Sequence, residues 1–349
     1  MIKSQFSKLI SGTMSWGAWG KNFNFSEMQQ LIENTVDLGI TSFDHADIYG
    51  GYSLESVFGD AFFRADISRS AVQFITKCGI QMTGSDRPNT VKHYDCSKAY
   101  IISSAEASLK HLKTEYLDAL LIHRPSPLMD PYEVMEAVQQ LKKEGKIINF
   151  GVSNFTPSQV NLLTKEVAVE INQIEFSAVQ HQALFDGSLD QMFTHQITPM
   201  AWAPLGRIFS TETTSQKKRI LEVLEELSTT YNASPDTLLL AWVLKHPSGV
   251  HPVIGTTNLI PGPNSTEMTM HCGYERAGKA GLFVAVIAFI FPATIITAIL
   301  AYLYVKYGQL PEVEPFIYGI KPAVLAIIAG AILKLGKKAV KSTELIILG

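Results

Sequence analysis

Cysteine is scarce: Cys78, Cys96 and Cys272 are the only thiols in 349 residues, and no two are close in sequence. That spacing excludes a disulfide framework and a zinc ribbon and makes a reducing compartment the expectation. No basic stripe with interleaved aromatics occurs, so a nucleic-acid partner is not expected. The opening stretch MIKSQFSKLISGTMSWG has neither an apolar core nor a small-residue cleavage site, and secretion is not expected. No G-x-G-x-x-G follows any apolar run; Gly12-Thr13-Met14-Ser15-Trp16-Gly17 has the wrong spacing for a phosphate loop and reads as a turn. Other absences are local. Residues 259–349 contain no Asp and no Trp, and their eight Lys and Arg against five Glu give +3, whereas the first 258 residues hold all four Trp and carry −6. The chain reads as two joined parts, 1–258 and 259–349.

The first part alternates short β-branched runs with helical patterns. The predicted strands are Leu9–Met14, Thr41–His45, Val72–Cys78, Leu117–His123, Ile147–Ser153, Ile171–Phe176, Thr198–Ala203 and Val250–Gly255. Apolar positions of period 3.6 predict helices over Ser26–Leu38, Leu54–Phe63, Ala99–Leu112, Pro131–Lys143, Pro157–Thr164, Ser188–Thr194, Gln216–Tyr231 and Pro235–Lys245. Ser26 before a helix, Thr156-Pro157 and Ser234-Pro235 supply N-caps, the latter two with Pro at the first helical position. Eight strand-helix alternations over about 250 residues predict an α/β fold, a (β/α)8 TIM barrel rather than an open doubly wound sheet.

In the second part, Ala280–Val305 is 26 residues without a charge, about 39 Å as a helix and long enough to span a bilayer with tilt. Phe316–Leu333 is a second candidate, with Lys321 and Pro322 near its start and a buried soluble helix as the alternative. An all-α membrane segment of about two helices is therefore expected after the barrel. Basic residues before the first span (Arg276, Lys279) and after the second (Lys334, Lys337, Lys338, Lys341) place both ends in the cytoplasm, with the barrel tethered to the inner membrane.

A TIM barrel builds its site from the C-terminal ends of its strands. Those ends supply Asp44 and, just beyond it, Tyr49; then Lys77; then His123. A Lys ending the apolar run Phe74-Ile75-Thr76-Lys77 requires a counter-ion, and Asp44 is the natural one. Lys77 is expected to lower the Tyr49 pKa from about 10, making the phenol a general acid that protonates a substrate oxygen oriented by His123. Taken singly, each residue has a plainer alternative: Asp44 a helix cap, His123 a satisfied core histidine, Tyr49 packing. Asp44, His45 and Asp47 are close in sequence, but alternate strand residues face opposite ways and no metal site is expected. Trp16 and Trp19 either line the pocket or pack at its rim.

These residues also carry a family likeness. Thr41-Ser42-Phe43-Asp44-His45-Ala46-Asp47-Ile48-Tyr49-Gly50, with Thr76-Lys77, Leu121-Ile122-His123-Arg124-Pro125 and Gly151-Val152-Ser153-Asn154-Phe155, resembles the aldo-keto reductases, specifically a bacterial oxidoreductase branch, from about residue 5 to 258. The resemblance implies NADPH-dependent reduction of an aldehyde or ketone, with Asp44, Tyr49, Lys77 and His123 as the catalytic tetrad. It further implies that Ser153, Asn154 and Gln173 hold the nicotinamide carboxamide, that Trp202 stacks on the ring, and that Leu205, Gly206, Gly255 and Thr256 lie along the rest of the cofactor. After Asn258 the pattern breaks: the relatives continue into a helix carrying groups for the 2′-phosphate of NADP, and this sequence has Leu259-Ile260-Pro261-Gly262-Pro263-Asn264 instead. A barrel lacking its final helix is expected.

The second part, with Gly262-Pro263-Asn264-Ser265-Thr266-Glu267-Met268, Gly273-Tyr274-Glu275-Arg276-Ala277-Gly278 and Tyr318-Gly319-Ile320-Lys321-Pro322, resembles an internal stretch of the chromate transporters. It is a fragment without the partner helices a solute path needs, and a join of two unrelated frames near Thr257-Asn258 is expected. The alternative function is a membrane anion transporter carrying the barrel as a passenger or regulatory domain.

Overall fold

The computed structural model describes residues 5–84, 89–210 and 214–255. Eight strands close into a parallel barrel: β1 (Ile10–Gly12), β2 (Ser42–Asp44), β3 (Gln73–Cys78), β6 (Leu117–Ile122), β7 (Ile147–Ser153), β8 (Ile171–Glu175), β9 (Thr198–Trp202) and β10 (His251–Ile254), each pairing with the next and β10 with β1. The outer helices are α1 (Phe25–Asp37), α2 (Leu54–Arg64), α3 (Lys98–His111), α4 (Pro131–Lys143), α5 (Pro157–Thr164), α6 (Ser188–Thr194), α7 (Ser215–Tyr231) and α8 (Pro235–Leu244). The expected eight-stranded parallel barrel is present, with α7 and α8 both lying between β9 and β10. Among the described residues the short strands β4 (Ile80–Gln81) and β5 (His93–Tyr94), which pair antiparallel, and the 3-10 turns Arg69–Ala71 and Gln182–Leu184 fall outside the alternation.

Local sequence accounts for most element ends. Asn24, not Ser26, caps α1: its side chain accepts from the Glu27 amide while the Glu27 carboxylate accepts from the Asn24 amide, and Ser26 lies inside the helix. Thr156 makes the same reciprocal pair with Gln159 ahead of Pro157 in α5. Ser234 stands at the cap of α8 but its hydroxyl turns to the Thr237 hydroxyl, 2.8 Å away, instead of a backbone amide. The strands are shorter than their apolar runs because the last residues of several runs have already bent into the loops.

Side-chain parity places the core and the site. Inside the barrel, Ile10, Ile75, Leu121, Ile171, Met200 and Val253 form a buried apolar layer with Ala119, and Phe6 joins it. Gly151 pairs with Leu121 at this level, and a Cβ there would lie 2.7 Å from the Cβ and the carbonyl oxygen of Ile171, so only glycine lets β7 and β8 approach. Residues of opposite parity face the helices, where Phe43, Phe58, Phe62, Phe74 and Trp16 form an aromatic cluster.

Among the described residues no helix is long and apolar enough to cross a membrane. Thr256, the position of the final barrel helix and the spans 280–305 and 316–333 lie outside the described residues.

Candidate active site

Because strand residues alternate in direction, the position two beyond each inward apolar residue faces the barrel axis again, one layer nearer the C-terminal mouth. Lys77 follows Ile75 in this way, His123 follows Leu121, Ser153 follows Gly151, Gln173 follows Ile171 and Trp202 follows Met200. Asp44 pairs with Ile75 and so lies beside Lys77 on the same face. Six sequence-predicted residues therefore share one ring, by strand register alone.

The ring is cross-linked at its centre. Lys77 Nζ donates to Asp44 Oδ2 at 2.7 Å, to the His45 carbonyl at 2.8 Å and to the Tyr49 hydroxyl at 3.3 Å. The other Asp44 oxygen accepts from Gln173 Nε2 at 2.9 Å. Lys77 and Asp44 are 1% and 3% exposed, so their charges meet each other and not water. Tyr49 reaches Lys77 through a turn after β2: the Asp47 amide donates to the Lys77 carbonyl, and the Tyr49 amide donates to the Ala46 carbonyl. His123 presents its ring edge-on to Tyr49, with centroids 6.1 Å apart, and Trp19 approaches Tyr49 from the other loop at 6.2 Å. Trp16 is fully buried in the aromatic cluster, so of the two loop tryptophans only Trp19, 45% exposed, stands at the mouth.

Electrostatics differ from the expectation at one point. Burial raises the Tyr49 phenol above its ordinary 10.0, and the charge of Lys77 pulls it back only in part, because that charge is already met by Asp44. Tyr49 therefore rests protonated at neutral pH, the state a proton donor needs. Burial works against the Lys77 ammonium, but Asp44 and Tyr49 outweigh it and hold Lys77 above its usual value. Burial, aided by Lys77, Arg124 and Lys92, pushes His123 well below 6.5, so the imidazole is neutral. Its Nδ1 is buried and has no hydrogen-bond partner within the protein.

The expected cofactor residues form one hydrogen-bonded chain. Ser153 Oγ donates to the Gln173 carbonyl at 3.0 Å, Asn154 Nδ2 donates to Ser153 Oγ at 2.8 Å, and Trp202 Nε1 donates to Asn154 Oδ1 at 2.8 Å. The indole of Trp202 is thus fixed in orientation. Leu205 packs its side chain against Ile208, Leu224 and Leu239 under α7 and α8. Gly206 has φ +60°, and a Cβ there would lie 2.7 Å from Ser177 Oγ. Gly255 follows β10 at the mouth.

His45 and Asp47 point away from the ring and from each other. His45 packs on Phe58 with centroids 4.3 Å apart, takes Thr13 Oγ1 at 3.0 Å on Nδ1, and is pushed down to about 3 by burial and then by Lys77. Asp47 Oδ2 accepts from Tyr100 at 2.9 Å and Ser104 at 3.1 Å, both on α3. Its carboxyl is raised to about 7, chiefly by burial and also by Glu55, against the two hydroxyl bonds. Neither these partners nor Arg124, whose guanidinium lies 5.7 Å from the Trp202 ring centroid, was assigned a role from sequence. The signal for Arg124 was available: a cation directly after the site histidine at the end of a strand.

Comparison with known proteins bears on the family of the chain. Residues 8–260 match the model of the aldo/keto reductase family, and residues 250–349 match that of the chromate transporters, the two overlapping by 11 residues. An uncharacterized oxidoreductase of Bacillus subtilis is 43% identical over 258 residues, covering 72% of this chain and 85% of its own. The 6-dehydroglucose reductase of Agrobacterium fabrum is 36% identical over 261 residues, covering 72% and 86%. The crystal structure of an aldo/keto reductase from Klebsiella pneumoniae in complex with NADP and acetate has a similar fold, with TM-score 0.57, 24% identity and coverage of 70% of this chain and 80% of its own. The barrel that carries this ring therefore belongs, over residues 8–260, to the aldo/keto reductase family of oxidoreductases.

Proposed function

We propose that residues 1–258 act as an NADPH-dependent reductase of a small aldehyde or ketone, with Tyr49 as general acid. The observation that carries this reading is the buried relay Asp44–Lys77–Tyr49, in which the ammonium lies 3.3 Å from a protonated phenol. A reduced nicotinamide, when bound, supplies the hydride. Residues of this chain do the remainder. Tyr49 donates its proton to the alkoxide oxygen that develops as the carbonyl is reduced, and Lys77 stabilises the phenolate left behind. Neutral His123 directs a nitrogen toward the same oxygen and orients it. Asp44 keeps Lys77 charged, and Gln173 keeps Asp44 in place.

The residues fit a nicotinamide. Trp202 offers a flat face fixed by Asn154, the amides of Asn154 and Gln173 with the Ser153 hydroxyl supply donors and acceptors for a carboxamide, and Gly206 in left-handed backbone lets the 203–207 turn pack closely on Ser177 and Val179. No metal enters this chemistry.

Carbonyl-dependent NADPH oxidation by the full chain tests the reading. Tyr49→Phe is expected to lower kcat by about 10²–10⁴-fold, the range for removing a positioned proton donor, while NADPH binding persists. A rate indifferent to Tyr49 contradicts it.

For residues 259–349 we infer a fragment of chromate-transporter type that does not itself move anions and whose segments 280–305 and 316–333 hold the barrel at the cytoplasmic face of the inner membrane. The family match over 250–349 and the uncharged run Ala280–Val305 support this. Sedimentation of the expressed full chain with membranes, resistant to carbonate wash, is the expected result, and recovery in the soluble fraction contradicts it.

A further inference from the structure

Among the described residues Arg124, directly after His123, is a cation without a counter-ion. It follows His123, two residues beyond the end of β6, is half-buried, and sets its guanidinium 5.7 Å from the Trp202 ring centroid. Among the described residues no Asp or Glu pairs with it. The site carboxylate Asp44 is already occupied at both oxygens by Lys77 and Gln173. Trp202 cannot turn away from the guanidinium without breaking its bond to Asn154. The charge of Arg124 is felt at both reacting residues, Tyr49 and His123, and that of Lys92 at His123. Among the described residues, the charge of Arg124 therefore stands near Tyr49 and His123 while the Asp44 carboxylate is taken up by Lys77 and Gln173.

We propose that Arg124 is a specificity-determining residue that binds the carboxylate of an oxo-acid substrate whose carbonyl lies between Tyr49 and His123. This deepens the reductase reading and rests on it. A guanidinium presents two parallel N–H donors that match a carboxylate, and a half-buried position beside an indole screens that contact less than open water does. A neutral carbonyl compound leaves the same donors without a charged acceptor.

The test compares matched pairs differing only in charge: 4-oxobutanoate with 4-oxobutanamide, and 4-formylbenzoate with 4-formylbenzamide. For the full chain, kcat/KM is expected to favour the acid over the amide in at least one pair. In Arg124→Gln that acid-to-amide ratio is expected to fall by about 10–100-fold, as for loss of a hydrogen-bonded charge pair, with Arg124→Lys between the two. Binding of benzoate against benzamide, read by ligand-observed NMR, needs no turnover and is expected to show the same dependence on Arg124. Ratios unchanged in both pairs, with benzoate bound no better than benzamide, overturn the proposal while leaving the reductase intact. Arg124-dependent benzoate binding in a chain that reduces neither aldehyde upholds the anion site and overturns the reductase reading instead.

Discussion

Replacing Asp44 by Asn removes the only carboxylate among the described residues that is bonded to the buried Lys77 ammonium, and the structure sets the size of the effect. The Lys77–Asp44 pair is 2.7 Å long with side chains 1% and 4% exposed. At that distance the attraction is about 6 kcal/mol for an effective dielectric of about 20, and desolvation of the two ions offsets most of it. Removing one partner is different, because it leaves the other charge buried and uncompensated at a cost of about 3–5 kcal/mol. For a barrel of this size that corresponds to a fall in Tm of roughly 6–20 °C. All four Trp lie before residue 259, so tryptophan fluorescence of the full chain in mild detergent follows barrel unfolding. Asp44→Asn is expected to lower Tm by that amount, and Asp44→Asn with Lys77→Met to recover most of it. The Lys77 value is raised in the folded state, so the pair's contribution is complete below the unfolded value of 10.5 and is lost as pH rises through the folded one. The single variant should thus converge on the parent only in strong alkali. An Asp44→Asn chain as stable as the parent at pH 7, or a double variant no better than the single, refutes the reasoning.

Other consequences follow from neighbouring groups. His45 is held near 3 in the folded state against 6.5 when exposed, so the unfolded chain binds the extra proton and stability drops by up to about 1.4 kcal/mol per pH unit below 6.5. Asp47, raised to about 7, acts in the opposite sense, since its native form keeps a proton that the unfolded chain has lost above 3.8. The two slopes oppose one another between about pH 4 and 6.5, and Asp47→Asn should expose the His45 slope in urea titrations across that range. Gly206→Ala forces a side chain into left-handed backbone and against Ser177, with an expected cost of about 1–3 kcal/mol and a rise in KM for NADPH in steady-state assays. Trp202→Phe keeps an aromatic face but loses the bond to Asn154, so cofactor titration should show weaker binding with Tyr49 chemistry retained.

The sequence makes the barrel legible because most strands are compact apolar runs and helices such as α1 and α4 carry a clear apolar stripe. The ring of Asp44, Lys77, His123, Ser153, Gln173 and Trp202 follows from the same runs, since side chains two apart share a face. What escapes has identifiable causes. β4 and β5 are two residues each, too short for periodicity to register, and their pairing brings Ile80 opposite Tyr94, fourteen residues further along the chain. Ser26 resembles a cap, but Asn24 two residues earlier forms the reciprocal bond with Glu27. The upward shift of Tyr49 depends on how far burial exceeds the residual charge of a Lys77 already paired, a balance of three-dimensional distances. The partners of Asp47 lie 53 and 57 residues away on α3, where nothing local marks Tyr100 or Ser104 as facing it.

Proton donation by Tyr49 during hydride transfer is the central claim, and isotope transfer tests it most directly. Full chain is incubated with NADPH deuterated at the transferable position and an excess of 4-formylbenzoate and 4-formylbenzamide, and the alcohols are analysed by mass spectrometry. One deuterium on the alcohol carbon is expected from the parent chain, with formation slowed by about 10²–10⁴-fold in Tyr49→Phe. Unlabelled alcohol, or labelled alcohol formed equally fast without the Tyr49 hydroxyl, contradicts the account.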